Sequence, residues 1–130
     1  MNYNALGMLD FDAKKRSQVV RDFTTGWGFL GRWLRVVAVD ASRTRHGWHV
    51  RLYFANSIPD LILVCIQLTL GSDRKRELLN FRRVVNGEPC WNRLSACKTH
   101  IRRNGATEII SEEIFDGELT EKLARIVRGN

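Results

Sequence analysis

Two aspartates stand two residues apart in the segment Gly7-Met8-Leu9-Asp10-Phe11-Asp12. Alternate side chains of a strand share a face, so a strand here presents both carboxylates together, where they can share a divalent cation, Mg²⁺ or Mn²⁺. Such an ion polarises phosphates and activates an attacking hydroxyl. His49, Arg51 and Arg82 supply the hydrogen-bonding and cationic groups that hold a triphosphate while charge shifts during phosphoryl transfer. The same two carboxylates also suit a simpler role, capping a helix that begins near Ala13. Other chemistry is thinner. Cys90, Cys97 and His100 are three potential zinc ligands, where a structural site uses four in tighter pairs. Ser42, His49 and Asp40 lie close in sequence, but no G-x-S-x-G elbow presents the serine as a nucleophile.

These groups act together only if the chain folds them onto one surface. Leu6 to Phe11 reads as a strand, followed by a helix over Ala13 to Phe23 with Val19, Val20 and Phe23 on its apolar stripe. Gly26, Gly28 and Gly31 are expected to break that helix before a second strand, Leu34 to Asp40, with its β-branched run VVAV. After a polar turn, Ser42 to Gly47, the chain alternates cleanly. Trp48, Val50, Leu52 and Phe54 fall on one face, His49, Arg51 and Tyr53 on the other. Ser57 as cap and Pro59 in the first turn introduce a largely buried helix over Leu61 to Leu70, Cys65 packed inside it, and Gly71 ends it. A charged turn, Ser72 to Glu77, then leads to a fourth strand, Leu79 to Val84, burying Leu79 and Phe81 and exposing Asn80 and Arg82. Beyond it, Ala96 to Arg103 and Ala106 to Ser111 form a hairpin about Asn104-Gly105. A final helix runs from Gly117 to Val127, capped by Asp116, with Leu119, Leu123 and Ile126 on one face.

The order βαββαβ is that of a ferredoxin-like, RRM-like α/β (α+β) sheet, here with a C-terminal hairpin and helix appended. Its first and third strands lie side by side in the middle, helices covering one face. Asp10, Asp12, His49, Arg51 and Tyr53 then converge on the other.

The 130 residues are expected to form a single domain, residues 1–130, with no repeat or linker to divide it. Hydrophobic residues at 44% and charged residues at 27% support one packed core. The longest apolar run, Leu61 to Leu70, is half of what a membrane span needs, so no integral membrane protein and no membrane partner are expected. Met1 to Leu9 lacks a signal-like stretch, and three cysteines without C-x-x-C spacing suit a reducing compartment; a cytoplasmic location is expected. The net charge of +7 is unevenly spread. Residues 1 to 103 hold 18 cations and 8 anions, whereas residues 104 to 130 hold 3 cations and 6 anions. A basic body with an acidic tail favours polyanionic partners. Arg43, Arg45 and His46 in one turn, and Arg74, Lys75 and Arg76 before the fourth strand, are placed to grip the backbone of DNA or RNA.

The order and spacing of three segments resemble the archaeo-eukaryotic primase and primase-polymerase superfamily. Leu9-Asp10-Phe11-Asp12 is similar to its first motif, apolar residues followed by Asp, apolar, Asp. Ser42-Arg43-Thr44-Arg45-His46-Gly47-Trp48-His49-Val50 resembles its second, a serine- and glycine-containing turn running into a histidine on the next strand. Leu79-Asn80, with Arg82 and Lys98 downstream, stands where the third falls, Asn80 in place of the family's carboxylate. Asp40 and Asp73 are the carboxylates at hand to replace it. The resemblance implies a metal-dependent, template-directed nucleotidyltransferase, small and of viral or plasmid type, acting in DNA replication on nucleic acid and nucleoside triphosphates. Asp10 and Asp12 would then be metal ligands, and His49, Ser42, Arg82 and Lys98 would serve the incoming nucleotide. The alternative is the same fold kept for binding DNA or RNA without catalysis. An RRM-type RNA binder normally displays several aromatics on its sheet, and here Tyr53 is the one evident.

Overall fold

The computed structural model describes residues 2–90, 98–103, 106–111 and 113–129, with side chains outside 98–111. Its elements are β1 (Tyr3–Asp12), α1 (Arg16–Leu30), a 3₁₀ turn (Gly31–Trp33), β2 (Val36–Arg43), β3 (Gly47–Pro59), α2 (Asp60–Thr69), α3 (Arg74–Val85), β4 (Lys98–Arg103), β5 (Ala106–Ser111), β6 (Ile114–Phe115) and α4 (Gly117–Arg128). The chain is a mixed α/β fold built on an antiparallel four-stranded sheet in the order β1-β3-β2-β6, with β4 and β5 forming a separate ladder.

The period-two pattern of β3 does what its sequence predicts. Trp48, Val50, Leu52 and Phe54 are buried and join Leu9 and Phe11 of β1 and Ala41 of β2 on one face of the sheet. Val19 and Phe23 of α1, Leu63 and Ile66 of α2, and Leu119 and Leu123 of α4 complete that core. Because β3 pairs antiparallel with both β1 and β2, those two strands run parallel, joined by the α1 crossover. The expected neighbours β1 and β3 are therefore side by side, but β1 is an edge strand rather than a central one.

Several further expectations are corrected. First, α1 does not stop at its glycines but runs through Gly26 and Gly28 to Leu30. A Cβ at Gly26 would lie 2.2 Å from the Thr69 carbonyl oxygen, so this glycine lets α1 and the end of α2 approach closely instead of breaking the helix. Second, β3 continues through Ser57 to Pro59, held by β1 at Asn4↔Ile58 and Tyr3↔Pro59, and α2 starts only at Asp60. Asp60 is buried because its carboxylate accepts from Asn4 Nδ2 at 3.0 Å and from the Cys90 amide at 2.9 Å. Cys65 lies on the exposed side of α2, not in the core.

The third correction is the largest: the expected fourth strand is the helix α3. Asp73 caps it, accepting from the Arg76 amide at 3.0 Å. Glu77 and Asn80, three residues apart and so on one helical face, are buried, while Leu79 and Phe81 are 57% and 46% exposed. The alternation of apolar residues over 79–84 marks the outer surface of a helix, the reverse of the expected burial.

What replaces a fourth strand along β1 is a set of side chains and turn groups. The Met8 amide donates to Gln67 Oε1 at 3.0 Å, and its carbonyl accepts from Arg76 Nη1 at 2.7 Å. The Asp10 amide donates to Ser72 Oγ at 3.0 Å, and its carbonyl accepts from the Asp73 amide. Behind them, Glu77 collects Gln67 Nε2 (2.8 Å) and Asn80 Nδ2 (3.0 Å) on one oxygen, and Ser72 Oγ (2.6 Å) and Arg76 Nη1 on the other. At Met8 and Asp10 the edge is sealed without a ladder.

The C-terminal elements follow the sequence. β4 and β5 pair with Arg103↔Ala106 as the innermost match; Asn104 and Gly105, the expected turn, lie outside the described residues, as do residues 96–97 at the expected start of the hairpin. Asp116 caps α4, accepting from the Leu119 amide at 3.0 Å while pairing with Arg16 at 2.9 Å.

Candidate functional site

The face of the sheet opposite the core carries the polar alternates of three adjacent strands. Asp10 on β1 is directly opposite His49 on β3, which is opposite Ser42 on β2. One row along, Arg51 sits between Met8 and Asp40; beyond it, Tyr53 sits between Leu6 and Ala38. Asp12 is paired with Gly47 and exposed at the end of the sheet. There a Cβ on Gly47 would overlap the Phe11 carbonyl, so only glycine lets the β2–β3 turn close against β1.

His49 is only 2% exposed. Its Nε2 lies 3.7 Å from Asp10 Oδ1, and its Nδ1 lies 3.7 Å from Glu113 Oε1, too long for hydrogen bonds. Arg51 is ion-paired on both sides, to Glu113 Oε1 at 2.8 Å and to Asp40 Oδ1 at 3.5 Å. The Tyr53 hydroxyl donates to Asp40 Oδ2 at 2.9 Å. Among the described residues, His49 Nδ1 is buried without a hydrogen-bond partner, whereas the buried Glu113 Oε1 has the Arg51 guanidinium as its ion-pair partner. Buried polar atoms are nearly always paired, so this gap marks a place where the fold leaves bonding capacity unused.

Electrostatics single out Asp10 and His49. Burial pushes the Asp10 carboxyl up to about 6, a rise that Arg76 opposes and the nearby charges of Asp12, Asp73 and Glu77 reinforce. Burial lowers His49 below its usual value, with Glu113 opposing and Arg51 adding to the fall, so the imidazole is neutral at pH 7. A half-buried carboxylate crowded by other carboxylates and a neutral imidazole beside it is an environment that favours a bound cation. The donor set fits a hard divalent ion held by Asp10 and Asp12 with phosphate and water completing its shell, the arrangement common for Mg²⁺. Among the described residues, no three His, Cys, Asp or Glu side chains converge as an all-protein cage.

The structure thus brings together Asp10, Asp12, Ser42, His49 and Arg51, and it separates the rest. Asn80 is buried beneath β1, bonded to Glu77, and does not occupy the place of a third carboxylate. Asp73 comes nearer to that role, its amide on the Asp10 carbonyl and its charge acting on Asp10. Arg82 is exposed on α3 beside Leu79 and Arg83, away from the sheet. Lys98 lies in β4, its side chain outside the described residues, and the same holds for His100, while Cys97 and Trp91 lie outside altogether. Cys90 is buried, and burial lifts its thiol to about 11, a poor state for a metal-binding thiolate.

Of the expected cationic grips, Arg43 and Arg45 flank the turn next to Asp12, with Arg43 at 5.8 Å from the Trp48 ring. Arg74 and Lys75 are exposed on the first turn of α3, but Arg76 turns inward to the Met8 carbonyl and Glu77. The serine-triad alternative has no geometry behind it, since Asp40 bonds to Tyr53 and Arg51 rather than to His49. Sequence reasoning missed Glu113 and undervalued Asp73. The acidic tail was the available signal for Glu113, which fixes the guanidinium of Arg51. Compared with known proteins, the chain matches no family model, no curated protein and no solved structure.

Proposed function

We propose that the protein is a metal-dependent nucleotidyltransferase of the primase-polymerase type, acting on nucleic acid and nucleoside triphosphates on an RRM-like core in which α3 stands in for the fourth strand. The observation that carries this reading is the lateral row Asp10–His49–Ser42 across three adjacent strands, with Asp12 two residues beyond Asp10. Asp10 and Asp12 would hold Mg²⁺ or Mn²⁺, which supplies phosphate neutralisation and a more acidic attacking hydroxyl. His49, neutral and with Nε2 turned toward Asp10, would hydrogen-bond through that nitrogen a phosphate or hydroxyl brought there. Arg51 is committed to Glu113 and Asp40, so it orients Glu113 toward His49 instead of reaching a phosphate. Arg43 and Arg45, at the Asp12 end of the sheet, meet the backbone of the polynucleotide.

Primer synthesis and extension with Mn²⁺ and Mg²⁺ test this directly. Asp10→Ala and Asp12→Ala should each lose incorporation by at least about a hundredfold while keeping DNA binding. One observation favours a second reading, a DNA- or RNA-binding protein without catalysis: Asn80 and Arg82 both stand away from the site. Salt-sensitive DNA binding by the unaltered protein, with no incorporation under either metal, would establish it.

A further inference from the structure

Helix α3 is inside out. Its polar residues Glu77 and Asn80 are 0% and 2% exposed, whereas Leu78, Phe81 and Val85 are 50%, 46% and 62% exposed. Spacings of three, four and seven place these three apolar side chains on one stripe, on the side of the helix away from Arg76 and the sheet. A stripe of this kind on a soluble body marks an interaction surface.

The charges around it narrow the occupant. Arg74, Lys75 and Arg82 are exposed along the stripe, while the acids of α2 and α3 are turned elsewhere: Asp60 and Glu77 are buried, and Asp73 caps the helix against β1. Glu88, just beyond, pairs with Arg83. A second copy docking by the same stripe would set like charges against each other, the first-turn cations facing the last-turn ones in an antiparallel pair, where the exposed acid, Glu88, is already paired with Arg83. The apolar groups are leucine and valine with one phenylalanine, whereas protein–protein anchors are dominated by Trp, Tyr and Arg, with Leu and Val under-represented. Exposed aliphatic residues flanked by Arg and Lys along a helix of about 18 Å are the recipe for an interfacial helix lying on an anionic bilayer. No described helix is long and apolar enough to cross a membrane, which leaves adsorption to its surface.

We propose that α3 docks the protein on an anionic lipid surface, Leu78, Phe81 and Val85 entering the acyl boundary and Arg74, Lys75 and Arg82 meeting the headgroups.

Vesicle flotation tests the proposal, comparing phosphatidylcholine vesicles with and without phosphatidylglycerol. The protein is expected to float with the anionic vesicles alone and to be released by high salt. The triple variant Leu78→Gln, Phe81→Gln, Val85→Gln should bind about tenfold more weakly or worse, since it removes the inserted area and keeps every cation. All three positions are exposed, from 46% to 62%, and a far-UV circular dichroism spectrum matching the parent confirms that the variant folds. Three results overturn the proposal: no flotation with anionic vesicles, undiminished flotation of the triple variant, or a parent that is oligomeric in solution and made monomeric by the variant. The second would mean unspecific adsorption through cations, and the third that another protein surface covers the stripe.

Discussion

Two buried polar clusters flank β1, and they are built on opposite principles. At its outer edge, Glu77 accepts four hydrogen bonds, from Gln67, Asn80, Ser72 and Arg76, and through them the Met8 and Asp10 peptide groups are satisfied. On the sheet face a few ångströms away, His49 stands between two carboxylates at 3.7 Å with a ring nitrogen unpaired, and Asp10 is held near a pKa of about 6. A completed network fixes a structure; an incomplete one keeps free energy in reserve for a ligand. The difference separates scaffold from site without reference to any other protein.

The comparison breaks most visibly at Glu77. Glu77→Ala leaves Arg76 and three further donors without their acceptor and should cost about 3–5 kcal/mol in urea unfolding. Ser72→Ala removes one bond to Glu77 and one to the Asp10 amide, for about 2 kcal/mol by the same measurement. A loss of activity with unchanged stability in either variant would invert the assignment. Asp10→Asn should move the other way, because it removes a desolvated charge crowded by like charges. With its partial exposure discounted, it should gain about 1 kcal/mol at pH 7.5, or about 3 °C in thermal midpoint, while calorimetry shows Mn²⁺ binding lost.

The finest test is the pH dependence. Asp10 is raised in the folded state, so its charge penalty is complete above about 6 and is relieved as pH falls toward the ordinary carboxylate range. His49 is lowered, so its contribution is complete above the ordinary imidazole value and is lost as pH falls below it. The slopes oppose each other between pH 7 and 5. Asp10→Asn should therefore lose stability on acidification through that range, and His49→Gln should gain it. Parallel profiles for the two variants would show that these groups do not sense the surroundings described.

Legibility in the sequence followed the direction of burial. β3 and α4 were readable because their apolar residues face the core at the period of their element, and the β4–β5 hairpin because Asn-Gly favours a tight turn. The approach of Asp10 to His49 followed from side-chain alternation once β1 and β3 were neighbours, whereas Ser42, expected in a turn, joins them because β2 runs on to Arg43. α3 was unreadable as a helix because pattern reading assumes that apolar residues point inward, and Glu77 and Asn80 reverse it. Gly26 misled for a related reason: its role is fixed by Thr69, 43 residues along the chain, and no local rule sees that contact. Glu113 and Asp73 reach the site through tertiary placement, which spacing does not encode.

The seal on β1 also has a cost in time. Met8 and Asp10 wait for partners at Gln67, Ser72, Asp73 and Arg76, so a chain leaving the ribosome carries an open strand edge until Arg76 has emerged. During that interval neighbouring nascent chains can pair where Gln67 and Ser72 will later bind. A chain shortened to end before Ser72 would keep that edge open for good, and its yield as soluble protein would fall as synthesis is crowded.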